Sequence, residues 1–219
     1  MATGRLAAAN PSSLFPYAGW TFVTAAVGAF AMAAAALAAF VVGEIGGATG
    51  DRLSFAFLCL TMAAGGVAAA APIVGQGLCV AAVASMVQTF EAARDQALAR
   101  VACALEATSL AATAVGVVLS MRMRLDTARV VLVAAMLLAA GAAALVAPLA
   151  RRTPGLVRGA RRAGVYATFA ATVWTLGAAL EFALHATGTA SLLAPYGAAV
   201  LAGLLLAGAG RNLAPADGA

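Results

Sequence analysis

Residues 151–162 read RRTPGLVRGARR and form the longest polar break in an otherwise apolar chain. The stretch holds five of the thirteen basic residues: Arg151, Arg152, Arg158, Arg161 and Arg162. Arginine beside apolar helices resists transfer across a membrane, so an excess of basic residues marks the cytoplasmic side. We therefore predict that the loop 151–164 is cytoplasmic, and that its arginines set the topology or contact anionic lipid headgroups.

The composition predicts a membrane protein. The 219 residues are 64% hydrophobic and only 10% charged, whereas a soluble domain carries about 25% charged residues. Several apolar runs reach the roughly 20 residues that cross the hydrocarbon core as a helix. The predicted fold class is all-α: a multi-pass helical membrane protein with a bundle of six or seven transmembrane helices and short loops.

The apolar runs predict a single transmembrane domain, residues 20–209, between two short tails. Pro11 and Pro16 oppose helix formation, so residues 1–19 are expected to form the first tail and residues 210–219 the second. The charges of segment 91–100 lie at helical spacing, which predicts a solvated extension of the following span. The predicted spans are near 20–42, 53–71, 101–121, 130–149, 165–185 and 190–209.

Residues 53–90 leave open whether the chain has six or seven spans. They contain no Asp, Glu, Lys or Arg, and as one helix they would measure about 57 Å, nearly twice the hydrocarbon thickness. A turn at Pro72–Gly77 would divide them and add a span at 73–90, since proline and glycine form turns and Gln76 favours the interface. Alternatively, one span is followed by a helix that dips into the membrane and returns, or that runs on into the cytoplasm.

The distribution of arginine does not choose between the two span counts. Either count places nine arginines on the side of the loop 151–164 and four on the other. In both, the loop and the C-terminus are cytoplasmic, and only the side of the N-terminus differs. The length of the run 53–90 favours seven spans.

Three ionisable side chains fall inside predicted spans: Glu106, Glu181 and His185. Such groups are costly in hydrocarbon and are candidates for function. Glu181 and His185 are four residues apart and share a helix face, so they could exchange a proton, and Glu106 could form an inner station of the same relay. The alternative interpretation is structural: Glu106 bonds a neighbouring helix, and the other pair marks an interfacial helix end.

Several functional classes are excluded by what the sequence lacks. One histidine cannot build a histidine-rich zinc site or ligate haem from both faces, and no Walker A loop, nucleophile elbow or HExxH sequence is present. We therefore expect no enzymatic activity, no metal and no cofactor. The arginines lie beside spans rather than on a soluble face, so no nucleic-acid partner is expected.

The leading functional hypothesis is an assembly, scaffold or accessory component that acts through other membrane proteins or by self-association. Its basis is the poverty of polar groups inside the spans, since a transporter lines a midplane path with such groups. The alternative is a small proton- or cation-coupled transporter that uses Glu106, Glu181 and His185. A seven-helix receptor is a third option that rests on span count alone.

The source membrane stays open at the level of sequence. Arginine without lysine, beside so much alanine, indicates a GC-rich gene. This composition is compatible with a bacterial inner membrane, or with a virus that places the protein in host membranes and its envelope.

Overall fold

Six helices make up nearly all of the chain that the structure describes. This computed structural model describes residues 11–88, 90–122, 124–152, 159–186 and 193–213. Five helices, α1 to α5, are long and apolar enough to cross a membrane, and the described residues contain no strand. The predicted all-α, multi-pass membrane class is therefore confirmed. The helices are α1 (Pro11–Ile45), α2 (Gly47–Val87), α3 (Ala93–Met121), α4 (Leu125–Arg152), α5 (Ala160–Ala186) and α6 (Leu193–Asn212).

The segment that left the span count open is a single helix. α2 runs for 41 residues and contains Pro72, so the predicted turn at Pro72–Gly77 and the separate span at 73–90 are wrong. The physical reason is packing. A methyl group at Gly75 would lie 2.6 Å from Thr21 Oγ1 of α1, so this glycine lets two helices touch instead of turning the chain. Gln76 is buried rather than interfacial, with 4% of its surface exposed.

The first helix begins inside the stretch predicted as a tail. α1 starts at Pro11, and proline is tolerated in the first turn because the N–H that it lacks would have no partner there. Phe15 is only 1% exposed, and a methyl group at Gly210 of α6 would lie 2.6 Å from its Cβ. The start of α1 is therefore held against the end of α6.

The other predicted spans coincide with helices. Spans 101–121, 130–149 and 165–185 fall within α3, α4 and α5, and the predicted extension 91–100 overlaps the start of α3. Span 190–209 overlaps α6, with residues 190–192 outside the described part of the chain.

The six helices form a closed ring. Each helix contacts the next along the chain, and α6 returns to α1. A methyl group at Gly19 of α1 would lie 2.5 Å from the carbonyl oxygen of Gly203 in α6. Glycine at position 19 therefore lets α1 and α6 approach closely where the ring closes. Inside the ring, Phe22 of α1 meets Trp174 of α5 edge to face, with ring centroids 5.9 Å apart.

One end of the ring gathers the end of α4, the start of α5 and both described chain ends. A side chain at Gly159, just before α5, would meet the carbonyl oxygen of Asn212 at the end of α6. The contact of Phe15 with Gly210 places the start of α1 at the same end. We term it the arginine-loop end.

At the other end, α1 and α2 extend beyond the common core as a hairpin. The core takes from α1 only residues up to Phe22 and from α2 only residues from Leu78 onward. We term residues 30–62 the distal hairpin. Its turn uses Gly46 and Gly47, whose φ angles of 72° and 82° lie in the left-handed region that favours glycine.

The two arms of the distal hairpin are held by each other. Their buried side chains are small, as at Ala35 and Ala39. Ser54 Oγ donates a hydrogen bond of 3.0 Å from α2 to the carbonyl oxygen of Ala39 in α1. The outward faces of both arms carry large apolar side chains.

Candidate functional site

The buried face of α3 is polar at its centre. Its members recur every three or four positions, which places them on one side of the helix. Small residues occupy the two ends of this face and three polar residues the middle, at Ala99, Ala102, Glu106, Ser109, Thr113 and Gly116. Polar groups turned into a membrane bundle are costly and mark a candidate functional site.

Ser109 joins three helices through hydrogen bonds. Its hydroxyl accepts a bond of 3.1 Å from Gln76 Nε2 of α2 and donates one of 2.8 Å to the carbonyl oxygen of Ala135 in α4. Thr113 Oγ1 donates to the carbonyl oxygen of Ser109 itself, at 2.9 Å. Ser109 is fully buried, so this network fixes the rotation of α2, α3 and α4 about one another.

Glu106 lies one turn from that network and is incompletely paired. It is 4% exposed, and its Oε2 atom is buried without a hydrogen-bond partner in the described part of the chain. Cys79 of α2 lies within electrostatic range of its carboxyl group. Because α3 begins at Ala93, Glu106 is about 20 Å from the start of the helix at 1.5 Å per residue. It therefore lies near the middle of α3, six residues beyond Arg100.

The Ser109 network supplies a direct test of this arrangement. Ser109→Ala is expected to lower the free energy of unfolding by about 1–3 kcal/mol, because it leaves the buried Gln76 Nε2 atom without its hydrogen-bond acceptor. Thr108→Ala is the matched control: Thr108 is exposed and bonds only to the Ala104 carbonyl of its own helix, so a change within about 0.5 kcal/mol is expected. Both are measured by denaturant titration in mixed micelles. Equal unfolding midpoints for the two variants would mean that the network does not stabilise the bundle.

A second buried carboxylate lies between α4 and α5. Glu181 is 5% exposed, and its Oε1 atom is 3.8 Å from Arg129 Nε of α4. Its Oε2 atom is buried and has no hydrogen-bond partner among the described residues. At 3.8 Å the ion pair is loose, so burial of this carboxylate is only partly compensated.

Two members of the predicted relay, Glu106 and Glu181, lie on helices that are not neighbours in the ring. Glu106 is on α3 and Glu181 on α5, with α4 between them in the ring. His185 falls within α5, but its side chain lies outside the described part of the chain. The described partner of Glu181 is Arg129, which sequence reasoning missed. The one clue to Arg129 was its position, one turn after α4 begins at Leu125.

The arginine-rich loop is exposed where it is described. Arg151, Arg152, Arg161 and Arg162 are all exposed, and Arg158 lies outside the described residues. Arg152 Nη1 donates to Asp95 Oδ1 at 2.7 Å, which links the end of α4 to the start of α3. Exposed ion pairs of this kind contribute little to stability. Lipid contact by these arginines stays a prediction.

The described residues contain no metal-binding cluster, and comparison with known proteins gives no match. Within the described ranges, no three His, Cys, Asp or Glu side chains converge on a metal position. Comparison with protein-family models, curated protein sequences and solved structures finds no match for the chain. The candidate functional site is therefore defined by its own residues: Glu106, with Ser109, Thr113 and Gln76 beside it.

Proposed function

We propose that this chain is a non-enzymatic assembly component of a membrane complex, and that the distal hairpin is the part that docks on other membrane proteins. The observation that carries the proposal is the length of α2. From Leu53 to Val87 the helix has 35 residues without Asp, Glu, Lys or Arg, which is about 52 Å of uncharged helix. The hydrocarbon core is about 30 Å thick.

Tilting does not remove this mismatch. A tilt of 40°, the upper end of the range for membrane helices, still leaves α2 about 40 Å tall across the bilayer. The end of α2 nearest the arginine loop is covered by the common core, whereas the distal hairpin is held only by its own two arms. Docking on another membrane protein would cover the surplus apolar surface.

The faces of the distal hairpin fit such a contact. Phe30 and Phe40 of α1 are 74% and 67% exposed, and Phe55 and Met62 of α2 are 68% and 79% exposed. Aromatic side chains and methionine are enriched in protein interfaces. The only charges near the tip are Glu44, Asp51 and Arg52, so little polar surface opposes docking along the arms.

Cys59 provides a native probe of this surface, because it is exposed on the α2 arm. A photoactivatable maleimide on Cys59, in a chain with Cys79→Ala and Cys103→Ala, is expected to give protein adducts of discrete mass in native membranes. The control carries the same label on Leu176→Cys of α5, which is 63% exposed, in a chain that also has Cys59→Ala, and is expected to give mainly lipid adducts. Phe40→Ala with Phe55→Ala should remove the Cys59 adducts. Equal adduct patterns at positions 59 and 176 would contradict the proposal.

We infer that the arginine-loop end faces the cytoplasm. In the described part of the chain, this end holds seven arginines and the opposite end holds four; the seven are Arg94, Arg100, Arg151, Arg152, Arg161, Arg162 and Arg211. The excess of arginine at that end supports this orientation. It places the tip of the distal hairpin on the opposite side of the membrane.

A second candidate function is proton- or cation-coupled transport through Glu106. It is favoured by one observation, the buried Glu106 Oε2 atom that has no partner among the described residues. An intramembrane carboxylate can bind and release a proton during transport. The test measures proton flux across the membrane of proteoliposomes. Flux that is lost in Glu106→Gln and kept in the exposed Glu44→Gln would support transport. If the wild type shows no flux, proton transport is excluded under those conditions.

A further inference from the structure

A groove of about 420 Å³ lies between the end of α2 and the first half of α3. Its volume falls within the range of small-molecule sites. The floor is apolar and is formed by Ala84 and Val87 of α2 with Ala104 and Ala107 of α3. The groove therefore presents an apolar floor on the outer surface of the ring, with Cys103 of α3 also lining it.

The groove is polar at only one end. Arg100 and Gln88 line it together with the apolar floor, and both lie toward the arginine-loop end of their helices. From Arg100 to Ala107 the groove follows α3 for about 10 Å, at 1.5 Å per residue. The lining thus changes from a cationic mouth to an apolar floor along the direction of the helices.

Arg100 is placed to bind a phosphate. It is exposed and makes no ion pair among the described residues, in contrast to Arg152, which pairs with Asp95. It is also the last charged residue of α3 before Glu106, with the uncharged residues 101–105 between them. Arginine at this depth reaches the headgroup level, where its guanidinium can donate two hydrogen bonds to one phosphate.

We propose that this groove binds one anionic glycerophospholipid, with the phosphate on Arg100 and an acyl chain along the alanine floor. The change from a cationic mouth to an apolar floor matches the change from headgroup to chain in a lipid. A free phosphate would leave the apolar floor uncovered, and a zwitterionic lipid would place a second positive charge near Arg100. The lipid would fill the seam between α2 and α3, whose contact is the least extensive between neighbours in the ring.

The test measures the thermal stability of the purified protein in a non-ionic detergent while phosphatidylglycerol is titrated in. We expect a saturable rise in Tm for the wild type. Arg100→Gln should weaken the apparent affinity about fivefold, the equivalent of about 1 kcal/mol for one basic residue at a membrane surface. Ala104→Phe, which fills the floor, should abolish the saturable rise.

Two control variants on the same helix keep the test specific. Arg94→Gln removes an exposed charge and Val115→Phe enlarges an exposed side chain, and neither residue lines the groove. Both variants should bind phosphatidylglycerol as the wild type does. If inorganic phosphate raises the Tm as much as phosphatidylglycerol does, the groove is a simple anion site. If phosphatidylcholine raises the Tm as much, the groove does not select for lipid charge. Either result, or unchanged binding in Arg100→Gln and Ala104→Phe, would overturn the proposal.

Discussion

Gly19→Leu is expected to open the ring between α1 and α6 and to lower the free energy of unfolding by about 3 kcal/mol, the upper part of the usual range for overpacking. The first added carbon would lie 2.5 Å from the Gly203 carbonyl oxygen and 2.8 Å from Ala207 Cβ. The first of these atoms belongs to the backbone of α6 and cannot move aside unless the helix moves. Unfolding by a denaturing detergent in mixed micelles, followed by circular dichroism, measures the loss.

Gly77→Leu is the matched control for that experiment. A methyl group at Gly77 would meet nothing within 4 Å, so the first added carbon meets no backbone atom of a neighbouring helix. Leucine also has a higher helix propensity than glycine, by about 0.8 kcal/mol in water, so a small gain or no change is expected. If Gly19→Leu and Gly77→Leu unfold at the same detergent fraction, the α1–α6 contact does not hold the ring closed.

The fold class could be predicted from composition, but the path of the chain could not. Long uncharged runs are sufficient to predict membrane helices because hydrocarbon tolerates little else. The turn predicted at Pro72–Gly77 failed because glycine has two uses: it permits turns in loops, and it permits close helix contacts inside bundles. Gly75 serves the second use against Thr21 and Phe22 of α1, and a single sequence does not state which use applies.

The site was predictable in its residues and not in its partners. Glu106 and Glu181 could be identified because ionisable groups are rare inside apolar runs. The three- and four-residue spacing of Glu106, Ser109 and Thr113 is the signal by which their shared helix face could also have been found. Gln76 and Arg129 could not be assigned to them, because those contacts depend on how α2 and α4 are rotated about their own axes. That rotation is fixed by packing between helices.

Glu106→Met is expected to raise the free energy of unfolding by about 1–2 kcal/mol, because a buried polar atom without a partner costs about 1–3 kcal/mol. Methionine keeps an unbranched, flexible shape of similar length and removes both carboxyl oxygens. The same unfolding titration measures the gain. Its control is Glu44→Met: Glu44 is exposed at the hairpin tip, and a change within about 0.5 kcal/mol is expected there.

The sign of the Glu106 result decides whether transport stays a candidate beside docking by the distal hairpin. A gain in stability means that the chain keeps a destabilising carboxylate in the middle of α3, as functional sites often do, and the proteoliposome flux assay then decides whether this site serves transport. A loss in stability means that the carboxyl group holds a neighbouring helix, as Ser109 does through its bonds to Gln76 and Ala135. In that case the whole polar face of α3 is structural, and the distal hairpin is the part of the chain left to carry function.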